Sequence, residues 1–150
     1  MKPIANLEQL EKFLGVSLVR FDSMQSMSHQ GIRLSHVCKS IESAIRRGDP
    51  VAAEIAFRVI TGDPSLPFGK LIKSGFARAL KQQACVLSSF QQSALIDKTI
   101  ELLELEYCPR EVEDYCKMIK KFDGPELMLR LHDIRVTNEK SRVLAAQLVP

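Results

Sequence analysis

The sequence predicts an all-α fold: a compact array of about seven or eight short helices in antiparallel hairpins, globular or drawn out as a short helical-repeat solenoid. Three observations carry that expectation. Gly-Asp-Pro occurs twice, as Gly48-Asp49-Pro50 and Gly62-Asp63-Pro64. Each copy reads as a joint between helices. Gly accepts the left-handed backbone that closes one helix, the Asp carboxylate caps the amides of the next, and Pro suits its first turn. Between such joints apolar residues recur every three and four positions. Trp is absent and aromatics make up 6% of the chain, so the core must come mainly from aliphatic side chains that suit helix-on-helix packing.

In chain order, Asn6 with Gln9 three residues on resembles a capping box, and Gly15 closes a helix bearing Leu7, Leu10, Phe13 and Leu14. Residues 16–21 read as extended chain. Residues 16–31 are the segment expected to be flexible, most of all the Ser-, Met- and Gln-rich stretch 22–30. From Ile32 a helix carries Leu34, Val37, Cys38, Ile41, Ala44 and Ile45 on one face and ends at Gly48. Pro50 opens a helix apolar on most sides (Val51, Ile55, Phe57, Val59, Ile60), expected to be central. After a turn at Pro64-Ser65-Leu66-Pro67, a long helix over 68–88 presents Ile72, Phe76, Ala79, Leu80 and Leu87, with Gly75 permitting a close approach. Ser93 is the expected cap of a helix reaching Tyr107, Pro109 and Pro125 are expected to start two more, and Asn138 to cap the last. A looser joint, Asp123-Gly124-Pro125, separates the second and third of these.

The chain of 150 residues has the length of one domain, here 1–150, and 45% hydrophobic with 26% charged residues describes a globular protein. The net charge of +3 is too small to imply a nucleic-acid or membrane partner, but it is unevenly spread. Residues 64–96 hold Lys70, Lys73, Arg78 and Lys81 and no acid, whereas 97–114 carry seven acids against Lys98 and Arg110. Separate blocks of opposite sign can steer a partner. Cys38, Cys85, Cys108 and Cys116 are irregularly spaced, and no apolar run near Met1 suggests a leader or membrane span. Reduced thiols and a cytoplasmic location, in the producing cell or a host cell, are therefore expected.

Hairpin starts near residues 33, 66, 93 and 125 recur at roughly thirty-residue intervals, the range of helical repeats. Within residues 37–64, small Ala44, then Gly48, Ala53, Phe57 and Ile60, with Pro64 near the closing position, resemble one tetratricopeptide unit. The first-helix aromatic and Leu-Gly signatures are replaced by Ser40 and Ile41, and the resemblance covers less than a fifth of the chain. It implies a helical hairpin.

Candidate chemistry is sparse. Gly62 to Lys70 imitates a phosphate loop, but six residues separate Gly62 from Gly69, two of them Pro, and Leu71 stands where magnesium needs Ser or Thr. His36 and Cys38 diverge by about 200° on a helix and cannot chelate together. No paired Cys-x-x-Cys is present. Cys108 precedes Pro109 at an expected helix start, where the dipole favours thiolate, yet no His is near it in sequence to serve as base. Glu101, Glu104, Glu106, Glu111, Glu113 and Asp114 read as a solvated acidic face or a dock for a basic partner. Lys70, Lys73, Arg78 and Lys81 fall within about 140° on one helix and form the candidate protein-binding stripe. The resulting expectation is a non-enzymatic protein-binding adaptor, chaperone or regulatory subunit with an inter-helix groove and charged patches, without cofactor, metal or membrane. The alternative is an RNA- or DNA-binding accessory protein using the same stripe. Self-association is left open.

Overall fold

The computed structural model describes residues 3–23 and 29–150, the Lys70 side chain excepted. Among them are eight α-helices and no strand: α1 (Leu7–Leu14), α2 (Gln30–Arg46), α3 (Pro50–Gly62), α4 (Gly69–Gln82), α5 (Ser89–Leu103), α6 (Val112–Ile119), α7 (Glu126–His132) and α8 (Glu139–Leu148). The all-α array is as expected. Helices pack mainly on those two places along the chain. Even-numbered helices stack as α2 on α4, α4 on α6 and α6 on α8, and odd-numbered ones as α1 on α3, α3 on α5 and α5 on α7. Consecutive pairs such as α2 with α3 and α5 with α6 tie the two layers together.

Local chemistry explains several boundaries. Asn6 accepts the Gln9 amide, and Gly15 ends α1 at φ 71°. Asp49 accepts the Val51 and Ala52 amides at 2.9 and 3.3 Å, Pro50 is the first helical residue, and Gly48 turns at φ 86°. Asn138 accepts the Ser141 amide at 2.8 Å and starts α8. These caps satisfy amides that have no partner within the helix.

Elsewhere the structure departs from the sequence reading. Residues 19–21 form a 3-10 turn instead of extended chain, because Leu18 and Phe21 are pulled into the core. The flexibility expected over 16–31 falls in part on residues 24–28, which lie outside the described residues. The helix expected over 68–88 stops at Gln82, and a 3-10 turn at Ala84–Val86 follows. Ser88, not Ser93, caps α5, in a reciprocal capping box with Gln91. Ser93 lies inside the helix, its hydroxyl bonded to Glu126 at 2.5 Å. Pro109 begins a turn that closes on the Val112 amide, so α6 starts three residues later than expected. Pro125 stands just outside α7, as its flanking residue.

The core continues across both layers, from Leu7 and Leu10 in α1 to Leu144 and Leu148 in α8. Helix α4 packs against α2, α3 and α6, and residues 72–77 are buried without interruption. Ser74, Gly75 and Ala77 allow this enclosure. A Cβ on Gly75 would overlap the Glu42 carboxylate of α2, the close approach the glycine suggested.

Candidate functional site

The second Gly-Asp-Pro does not repeat the first. Gly62 is the last residue of α3, and Asp63 takes the left-handed cap at φ 51° and ψ 49°. Its side chain caps no helix, and Pro64 belongs to none. Asp63 Oδ1 instead accepts from Lys73 Nζ at 2.7 Å, while Lys98 Nζ lies 3.7 Å from Oδ2. Asp tolerates left-handed backbone better than most residues, and two ammonium groups compete successfully for its carboxylate. The local motif yields to a tertiary ion pair.

That pair also divides the basic stripe. Lys73 is only 8% exposed, enclosed with α4 between its neighbours. Arg78 reaches Asp114 of α6 at 3.5 Å, and Lys81 is half-buried. The Lys70 side chain lies outside the described residues. The four cations therefore do not form one exposed face as expected. The single-face reading treated α4 as a surface helix, whereas Ser74, Gly75 and Ala77 let it be covered on two sides. Those small residues were the signal for a helix packed on both sides.

The surface beside this pair has the more distinctive geometry. Phe68 precedes α4 at φ 53° and ψ 30°, a left-handed conformation that a bulky residue seldom adopts. Its side chain is 70% exposed and nearby Leu71 60%, with Ile32 of α2 also open to solvent. Phe68 lines three hollows. One of about 460 Å³ runs along α2 past Ile32, Ser35 and Lys39, and a second of about 280 Å³ continues between α2 and α4 past Cys38, Leu71 and Ile72. Together they form a largely apolar groove with Lys39, Glu42, His29 and His36 on its margins. His29 also accepts the Ile32 amide on Nδ1 at 3.2 Å, and the His36 ring is 2.5 Å from the Ser23 hydroxyl.

The third hollow, about 600 Å³, opens on the other side of Phe68 and is polar. Asp63 and Lys73 stand on one wall, Arg110 and Glu111 from the α5–α6 connection on another, and Leu66 and Leu71 supply apolar surface. Glu111 is 7% exposed as a whole residue and caps no helix with its side chain, but its carboxylate oxygens are not among the buried atoms that lack a partner. Glu101, Glu104, Glu106 and Glu113, from the same acidic block, are solvated as expected, and Asp114 is half-buried against Arg78. Glu111 escaped sequence reading because it lies in an acid-rich run whose other members face water. Close by, the wholly buried Tyr115 hydroxyl has no hydrogen-bond partner among the described residues. Burial pushes its pKa upward, with Glu111, Asp63 and Asp114 adding to the effect, so it stays protonated.

The candidate nucleophile does not stand at a helix start. Cys108 is buried, its thiol 3.6 Å from the Pro109 carbonyl, and the helix it was expected to cap starts at Val112. Burial pushes the Cys38 and Cys116 thiols up to about 12. Among the described residues no three His, Cys, Asp or Glu side chains gather as a metal site, and no helix is long and apolar enough to cross a membrane. Comparison with protein-family models, curated proteins and solved structures found no match to the chain.

Proposed function

We propose that this protein is a non-enzymatic binding module, an adaptor, chaperone or regulatory subunit, that docks an amphipathic segment of another protein in the groove between α2 and α4. The observation that carries the reading is Phe68: a bulky aromatic held in left-handed backbone and left largely in water. Such a conformation costs on the order of 1–3 kcal/mol, and the fold recovers little of it by burying the ring. Exposed aromatics beside apolar clefts are the usual anchors of protein interfaces. Leu71 and Ile32 extend the apolar strip, and Lys39 and Glu42 offer charges of both signs to the polar side of a bound segment. The alternating stack of two helix layers supports a short solenoid, an architecture whose grooves between helices receive such segments. A cytoplasmic setting, in the producing or a host cell, belongs to the same proposal.

The test is affinity capture from an extract of the source cells at physiological salt, with nuclease treatment, using wild type and Phe68→Ser/Leu71→Ser. A stoichiometric protein that survives nuclease and is lost by the double variant is expected. Partners that vanish with nuclease, or that bind both baits equally, would overturn the reading.

A further inference from the structure

We propose that the protein pairs with a second copy of itself through the odd-numbered layer, the Phe90 ring of each copy seating in an apolar hollow of the other. This goes beyond the docking reading and does not depend on it. The projecting group is Phe90, in the first turn of α5 and 76% exposed. Its ring leans on Phe57 of α3, with centroids 6.4 Å apart and the planes tilted by 59°. The capping box of Ser88 and Gln91 fixes the turn that carries it, so a stiff element presents the ring. The receiving group is a hollow of about 230 Å³ between α1 and α3, almost wholly apolar and walled by Leu14, Val16, Val51 and Ile55. Val16 and Val51 are exposed at its mouth. A cavity of about 150 Å³ already holds benzene, so a phenyl ring fits.

Ring and hollow lie side by side on one face. Glu54 stands on the rim of the hollow and also accepts a hydrogen bond from Nε2 of Gln91, the residue after Phe90. A twofold axis passing close to Glu54 therefore sets each ring over the other copy's hollow, the self-complementary arrangement that a twofold pair needs. Charge favours the same occupant. Groups beside a twofold axis meet their own copies, so a rim of one sign would repel itself. Here the rim carries Glu54 and Arg58, one turn apart on α3 and paired at 3.2 Å. With the two α3 helices antiparallel across the axis, Glu54 of each copy faces Arg58 of the other. The α2–α4 groove belongs to the even-numbered layer, so pairing through the odd one leaves both grooves open. The pair is then bivalent, and its second contact with a partner that offers two segments becomes intramolecular.

The experiment is sedimentation velocity of the full-length protein, from low micromolar to the highest soluble concentration, with Phe90→Ser and Val51→Arg alone and mixed. Phe90→Ser removes the ring and keeps the hollow; Val51→Arg blocks the hollow and keeps the ring. Circular dichroism and a thermal melt check each fold, and should either fail, Phe90→Gln or Val16→Arg takes its place. Wild type should show a monomer–dimer equilibrium. Each variant alone should dimerise more weakly, on the order of thirtyfold for each seated ring lost, the loss typical of a hot-spot side chain. Mixed in equal amounts, the two variants should form heterodimers, since one supplies an intact hollow and the other an intact ring. A merely structural role for Phe90 would give no such rescue. Wild type that stays monomeric throughout, a dimer that ignores both variants, or variants that fail to rescue each other would overturn the proposal.

Discussion

Replacing Asp63 separates two physical roles that a Gly-Asp-Pro joint can give its aspartate. Were Asp63 a helix cap, Asp63→Asn would be nearly silent, because Asn caps as well as Asp. The structure makes it instead the counter-ion of Lys73, 2.7 Å away, whose side chain is 10% exposed. Two unit charges at that distance attract by about 6 kcal/mol at an effective dielectric of 20, before the desolvation of Lys73 is subtracted. Asp63 keeps 33% of its side chain in water, so solvent screens part of the attraction. The net loss in Asp63→Asn should then be about 2–3 kcal/mol, below the roughly 3–5 kcal/mol of a fully buried pair. Asp63→Ala should lose about 1 kcal/mol more, because alanine fits the left-handed backbone poorly. Lys73→Met removes the buried cation together with its need for a partner, and should cost less than Asp63→Asn. Urea denaturation followed by circular dichroism measures all three, and a double-mutant cycle isolates the pair. Asp63→Asn within about 0.5 kcal/mol of wild type would refute the ion-pair reasoning, since changes that small are ordinary for surface sites.

Asp49 should depend on its charge less: Asp49→Asn keeps the cap and loses only the exposed ion pair with Arg20, about 0–1 kcal/mol, and Asp49→Ala should be destabilised by about 0.5–2 kcal/mol in the same urea assay. Burial opposes ionisation of Asp49, but the Ala52 and Val51 amides and Arg20 outweigh it and hold its pKa below the ordinary 3.8. Its ionised form is thus favoured by folding; that stability is complete above the ordinary value and is lost as pH falls through the lowered one, so the Asp49→Ala deficit should shrink only in that acid window. Native alkylation with iodoacetamide should label Cys85, the exposed thiol, while Cys38, Cys108 and Cys116 react only after denaturation; mass spectrometry counts the adducts. Tyr115→Phe should leave stability unchanged or raise it by about 1 kcal/mol, because the deleted hydroxyl is buried without a hydrogen-bond partner among the described residues. A loss above that size would reveal a bond the hydroxyl makes.

Asn6, Asn138 and the first Gly-Asp-Pro were legible in the chain because each cap is completed within three residues, where sequence and geometry coincide. The second Gly-Asp-Pro was not. The partners of Asp63 lie ten and thirty-five positions away, and no local pattern announces them. Ser88 and Ser93 both precede apolar helical spacing, but Gln91 completes a capping box for Ser88 alone. The same limit governs the site. Lys73 and Glu111 look like surface charges in sequence, and only the packing of α4 and of the α5–α6 connection buries them. Phe68, after Pro67, passed for the first residue of a helix; its left-handed backbone is a property of the folded loop.

The groove is tested most directly by amide hydrogen exchange on the captured complex, compared with the free protein. Protection should concentrate in residues 29–39 and 66–73, which carry Ile32, Phe68 and Leu71, and should vanish when Phe68→Ser/Leu71→Ser is substituted for wild type. Protection confined to other surfaces, such as 139–148 or the helix face bearing Arg78 and Lys81, would contradict the assignment of the α2–α4 groove as the binding face.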